Sequence, residues 1–227
     1  MISDALTTVR QRIAEAARQF ARAPDSIQLL AVSKTRPVAD IVTAIESGQR
    51  CFGESYLQEA ISKIGALRNY PLQWHFIGPL QSNKTRLIAE HFDWVQSLDN
   101  EKHAVRLNAQ RPTHLPPLNV CIQVNISNEP QKSGIRLTEL PTLAQAIAEL
   151  PRLRLRGLMA LPAPCADFNQ QRLPFRALHT AYQQLQASGL ALDTLSMGMT
   201  NDLAAAIAEG ATLVRIGTAI FGERERG

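Results

Sequence analysis

The chain predicts a single (β/α)8 barrel of the TIM type. The prediction rests on eight short apolar runs, on amphipathic helical stretches between them, and on a length of 227 residues. One such barrel commonly takes roughly 200 to 250 residues. Short apolar runs alternating with helical periodicity are the mark of βα units feeding a parallel sheet. A doubly wound open sheet uses the same units and is the alternative that strand count alone leaves open.

In order, the chain opens on MISDALTTVRQRIAEAARQFAR, with apolar residues at helical spacing among Arg and Glu. This predicts an extra N-terminal helix within residues 1–24, packed on the barrel, and lacks the continuous apolar core of a signal peptide. Strands are expected at Gln28–Ser33, Arg50–Gly53, Gln73–Ile77, Trp94–Ser97, Asn119–Asn125, Leu155–Ala160, Thr194–Ser196 and Leu213–Ile216. Helices are expected at Val38–Ser47, Leu57–Leu67, Leu140–Leu150, Pro174–Ala187 and Asp202–Glu209. Gly48, Gly189 and Gly210 stand where three of these helices stop, the position at which a left-handed cap favours glycine. No repeat, low-complexity tract or Gly/Ser linker interrupts the series, so residues 1–227 read as one domain.

Apolar residues make up 45% and charged residues 19% of the chain, the balance of a protein that buries a full core. The net charge is +4, yet Lys and Arg are interspersed with Asp and Glu and only 5% of residues are aromatic. A basic surface with interleaved stacking residues, as a nucleic-acid binder needs, is not expected. No stretch approaches the roughly 18 apolar residues of a membrane span. Cys51, Cys121 and Cys165 are odd in number and widely spaced, fitting neither a disulfide framework nor a paired CxxC metal site. The expectation is a cytoplasmic protein with no membrane, nucleic-acid or metal partner, whose mild positive balance suits an anionic small ligand.

In such a barrel ligands bind where the strands end, so the residues just after each apolar run are the candidates. The first run, QLLAVSKTRP, delivers Lys34 to the mouth. Partial desolvation or nearby cations make such an amine nucleophilic towards aldehydes; a solvated strand-end lysine is the plain alternative. The last two runs lead into LSMGMTND and VRIGTAIFG, each with a glycine, Gly198 and Gly217, where backbone approaches a ligand closely. A phosphate site built by the loops after the seventh and eighth strands and a helix N-terminus recurs in this fold, with Ser196, Thr218 and the backbone of Gly217 as donors here. Period-2 alternation puts Arg215 on the face shared with Gly217, opposite Val214 and Ile216. Other strand ends supply Glu54, Ser55, His75, Ser97, Asp99, Asn125 and Met159. A lone histidine such as His75 is more often a hydrogen-bonded interior residue than a catalyst. Glu54 and Asp99 are not spaced as an acid/base pair, and the loops PLQSNKTR and NEPQKSGIR, with Lys84 and Lys132, read equally as lids or as solvated turns.

AVSKTRP, FGESYLQE, WHFIGPLQSNK, NISNEPQKSGI, RGLMALP, LSMGMTND and VRIGTAIFG, from about Leu29 to Gly222, together resemble the pyridoxal phosphate homeostasis protein family, the YggS or PROSC type. That resemblance implies a barrel similar to the N-terminal domain of alanine racemase, with pyridoxal 5′-phosphate held as a Schiff base on Lys34. It implies phosphate contacts from Ser196, Gly217 and Thr218, an arginine, Arg215, beside the pyridine nitrogen, and a site that also takes in Gly198, Ser55, His75 and Met159. One departure is Ser55, which stands where the family's FGEN motif has asparagine; a hydroxyl or a water takes the place of the longer amide.

An arginine beside the pyridine nitrogen disfavours the pyridinium, so the ring is a poor electron sink. The racemase also draws a tyrosine from a second domain, for which this chain has no room. The resemblance therefore implies a carrier or buffer, without robust catalysis, acting in vitamin B6 and amino-acid homeostasis and handing cofactor to apoenzymes. Without that second domain a monomer is favoured over the racemase-type dimer. The alternatives are a low-activity racemase-like enzyme and an aldolase using Lys34 without cofactor.

Overall fold

The computed structural model describes residues 1–223 of the chain. Among them, eight parallel strands close into a barrel in chain order. They are β1 (Gln28–Val32), β2 (Cys51–Glu54), β3 (Gln73–Phe76), β4 (Trp94–Leu98), β5 (Leu118–Val124), β6 (Leu153–Ala160), β7 (Thr194–Ser196) and β8 (Leu213–Ile216). β8 pairs back onto β1, with Leu30 opposite Arg215 and Ala31 opposite Ile216, which rules out the open-sheet alternative. Every predicted run is a strand. The last four positions of the expected domain, 224–227, lie outside the described residues.

The helices are α1 (Ile2–Gln19), α2 (Val38–Glu46), α3 (Leu57–Ala66), α4 (Thr85–His91), α5 (Glu101–Gln110), α6 (Leu140–Ala148), α7 (Phe168–Ala187), α8 (Leu203–Ala208) and α9 (Thr218–Phe221). α1 is the extra N-terminal helix. It buries Leu6, Val9, Ile13, Ala16 and Ala17 and packs against α8, α9 and α2. It stops short of residue 24 because Ala21 turns left-handed (φ 54°) and Pro24 starts a separate 3-10 turn. α7 begins six residues before the expected Pro174, because the Asp167 side chain accepts from Gln170 N–H and caps the helix there. Proline is the usual first-turn residue, which made Pro174 look like a start, but here it lies inside the helix.

Alternation along the strands sorts two regions. Outward residues such as Ala31, Phe52, Val95, Leu158 and Ile216 pack beneath the helices in one continuous core, where each large side chain contributes roughly 1.5–3 kcal/mol on burial. Inward residues include a small apolar group, Trp94, Cys121 and Met159, and a polar layer described below. β6 and β7 approach so closely that a Cβ on Gly157 would sit 1.7 Å from Thr194 O, so only glycine fits. Among the described residues Cys51, Cys121 and Cys165 are free, and no helix is long and apolar enough to cross a membrane.

Candidate functional site

A cavity of about 850 Å³ opens where the strands end. β1 contributes Val32 and, two residues on, Lys34; Ser55 follows β2 and Ile77 follows β3. β6 contributes Met159, and the segment 161–166 with Gln170, Gln171 and Pro174 of α7 forms one flank. Next to it along the rim come Met199, Thr200, Asn201 and Asp202 between β7 and α8, then Arg215, Gly217 and Thr218 from β8 and the turn into α9. Lys34, Arg215, Gly217 and Thr218 therefore meet at one place because β1 and β8 are neighbours in the closed barrel. A Cβ on Gly217 would lie 3.2 Å from Val32 O, so this turn lies tight against β1. The first N–H groups of α9 have no intrahelical acceptor, which suits an anion at this rim.

Arg215 is 4% exposed and reaches inward: Nη1 donates to Ser196 Oγ at 2.6 Å and Nη2 to Ala160 O at 2.8 Å. Burial lowers its pKa to about 10, partly opposed by Asp202, so it stays cationic at neutral pH. Ser196 Oγ donates onward to Gln96 Oε1 at 2.5 Å, and Gln96 Nε2 faces His75 Nδ1 at 2.9 Å. His75 Nδ1 is thus the acceptor and its Nε2–H donates to Gln73 Oε1 at 3.2 Å. The His75 ring stacks on Trp94 with centroids 5.0 Å apart, and the Arg156 guanidinium covers that indole at 4.5 Å. One polar chain therefore crosses the barrel interior from the cavity floor at Arg215 to Gln73, with its donors all aimed the same way.

Burial and the nearby Arg156 hold the His75 pKa down to about 3, so the ring is neutral. An unfolded chain protonates the same imidazole near pH 6.5. Between about 6.5 and about 3 the unfolded state binds the extra proton, so stability falls as pH drops through that window. His75→Asn, which keeps an acceptor towards Gln96, is expected to flatten this loss; unfolding by denaturant at neutral pH and at about pH 4 checks it.

Of the sequence-predicted site residues, Lys34, Ser55, Met159, Arg215, Gly217 and Thr218 line the cavity, whereas Ser196, Gly198 and His75 are not on its wall. Ser196 is fully buried below it, its hydroxyl engaged by Arg215 and Gln96. Gly198 (φ 97°) turns the chain back over α8, where a Cβ would come within 2.5 Å of the Ala206 side chain. The chain runs on past the end of β7 before reaching the rim, so the hydroxyl-bearing residue of this loop that lines the cavity is Thr200 rather than Ser196. Thr200, Asn201 and the 161–166 segment were not anticipated; their signal is their place in the loops after β7 and β6.

The pattern of the family described as "alanine racemase, N-terminal domain" matches residues 6–225. The chain is 55% identical over 227 residues to the pyridoxal phosphate homeostasis protein of Escherichia coli strain K12, covering 99% of this chain and 97% of that one. It is 56% identical over 226 residues to the protein of the same description from Pseudomonas aeruginosa, covering 100% and 97%. Among solved structures it is similar to PipY of Synechococcus elongatus PCC7942 with PLP bound, at a TM-score of 0.86, 36% identity and coverage of 98% and 100%.

Proposed function

The chain belongs to the pyridoxal phosphate homeostasis family of alanine racemase N-terminal-domain barrels, and from that membership we propose that it binds pyridoxal 5′-phosphate and serves intracellular homeostasis of that cofactor as a carrier rather than as an enzyme. The observation that carries the reading is the meeting of Lys34, Arg215 and the Gly217–Thr218 turn on one cavity. A long amine, a permanent cation and an N–H-rich turn are the groups that an aldehyde with an anionic tail requires. The PLP-bound PipY structure and the names of the relatives support the same ligand.

In this reading Lys34 would hold the aldehyde group through its amine. Gly217 and Thr218 would hold the phosphate at the end of β8, with Thr200 beside them in the loop after β7. Arg215 would supply a buried cation beside the ring, which disfavours protonation of the pyridine nitrogen. Ser196, Gln96 and His75 hold Arg215 in place from below, and Ser55 and Met159 complete the wall. Pyridoxal phosphate supplies an electron sink whose strength depends on protonation of its ring nitrogen. The ionisable side chains among the described residues lining the cavity are Lys34, Cys165, Asp202 and Arg215. The Asp202 carboxylate is tied to Met199 N–H at 2.6 Å.

Borohydride reduction of the loaded protein followed by peptide mass mapping is expected to find a phosphopyridoxyl group on Lys34. Incubation with L-amino acids is expected to give no multiple-turnover racemisation, decarboxylation or transamination; sustained product formation that disappears in Lys34→Ala would establish an enzyme instead. Thr200→Val is expected to weaken cofactor binding about tenfold, the value of one hydrogen bond to a charged group, with little change in melting temperature. Ser196→Ala should do the reverse, lowering the melting temperature because it strands Arg215 Nη1 and Gln96 Oε1. Isothermal titration with parallel melts separates the two.

A further inference from the structure

A buried charged cluster stands directly behind Lys34. The Lys63 ammonium of α3, 4% exposed, donates to Ser33 O at 2.7 Å, to Glu54 Oε1 at 2.8 Å and to Glu59 Oε1. Ser33 Oγ donates to the same Glu54 oxygen at 2.6 Å, and Thr35 N–H donates to Glu59 Oε1 at 2.6 Å. Both neighbours of Lys34 in the chain are thus fastened to one cluster. Thr35 is moreover held at φ 65°, a left-handed conformation that a β-branched residue adopts only under constraint. Neither feature is needed to dock α3 on the barrel, because its apolar residues Leu57 and Ala60 already bury that face. Glu54 is fully buried, its second oxygen lacks a hydrogen-bond partner, and burial pushes its pKa up, so the cluster carries an electrostatic cost that docking alone does not explain.

The geometry points to Lys63 and Glu59 as positioning residues for Lys34: through Ser33 and Thr35 they lock the end of β1 in the one backbone conformation that presents the Lys34 amine to the cavity. The inference rests on Lys34 being the residue that bonds the cofactor. In that step the amine nitrogen attacks the aldehyde carbon, a C=N bond forms and the carbonyl oxygen leaves as water with the two amine hydrogens. The clamp fixes the approach of that nitrogen and takes no part in the proton transfers.

Lys63→Met and Glu59→Ala, each alone and combined with Thr35→Gly, test this with two probes. Pyridoxal 5′-phosphate reports the covalent bond, by borohydride trapping on Lys34. Pyridoxamine 5′-phosphate, which has no aldehyde, reports the phosphate and ring contacts alone. Either single variant is expected to slow trapping on the order of 10- to 100-fold, the usual consequence of a misplaced reactive group, while pyridoxamine phosphate affinity stays at the wild-type value. Thr35→Gly, which makes the left-handed conformation cheap without the clamp, is expected to restore most of the rate. Glu59 is partly exposed and leaves the Lys63–Glu54 pair intact, so its variant reads the clamp even if Lys63→Met does not fold. Wild-type trapping rates in folded variants, an equal loss of pyridoxamine phosphate affinity, or no rescue by Thr35→Gly would overturn the clamp. A wild-type protein that traps nothing on Lys34 would sink the cofactor reading and the clamp with it.

Discussion

Lys34→Ala is expected to abolish the visible absorbance of cofactor-loaded protein and to weaken pyridoxal 5′-phosphate binding by about 100-fold or more. The magnitude follows from the division of labour on the cavity. In the proposed site the Gly217–Thr218 turn, Thr200 and Arg215 would contribute ordinary polar contacts, each of roughly 1.5–3 kcal/mol when charge-assisted. A covalent bond at Lys34 would add to these without a second loss of translational freedom, because the tail would already be anchored. Residual binding is expected to survive in the variant, and to match the wild-type affinity for pyridoxamine 5′-phosphate. Absorbance titration with both ligands checks the two halves; an alanine variant with wild-type affinity would remove Lys34 from the site.

Arg215→Leu has the second largest expected effect, and two opposing terms decide it. Removing a fully buried cation relieves a desolvation penalty. It also leaves Ser196 Oγ and Ala160 O without their donor, at roughly 1–3 kcal/mol each, and opens space at the cavity floor. The lost hydrogen bonds win, because the guanidinium is already stable as a cation, with a pKa of about 10. The apoprotein should therefore lose about 2 kcal/mol of stability and bind cofactor on the order of tenfold more weakly. Arg215→Lys should fall between wild type and leucine: a point charge keeps the electrostatics but cannot span both acceptors as the planar fork does. Denaturant unfolding of the three apoproteins and titration with cofactor give the ordering.

The barrel was legible because its signal is redundant. Eight runs alternate with helices, and a shift of one or two residues in any run leaves the count and order unchanged. What escaped was set by contacts rather than by periodicity. α4 and α5 carry polar and charged residues over much of their length, so neither stands out as an apolar stripe, and α5 is anchored by an Asn100 cap accepting from His103 N–H. α9 is a single turn after Gly217, too short to have a period.

The site divides in the same way. Lys34, Arg215 and Gly217 follow from strand order and alternation, since closing the barrel brings the first and last strands together. Ser196 is expected at the ligand on the assumption that the residue ending the strand faces it. The chain instead continues upward through Met197 and the left-handed Gly198 before reaching the rim. His75 and Gln96 belong to a relay whose members lie on different strands, and Lys63 to a clamp reaching from α3 to the end of β1. Neither arrangement has any spacing in sequence that would announce it.

The most direct test is a crystal structure of the protein grown with pyridoxal 5′-phosphate. The expected density is continuous from Lys34 Nζ to the pyridoxal ring, with the phosphate against Gly217 and Thr218 and the Arg215 guanidinium beside the ring nitrogen. A phosphate seated elsewhere, or an unmodified Lys34 turned out of the cavity beside a bound cofactor, would contradict it.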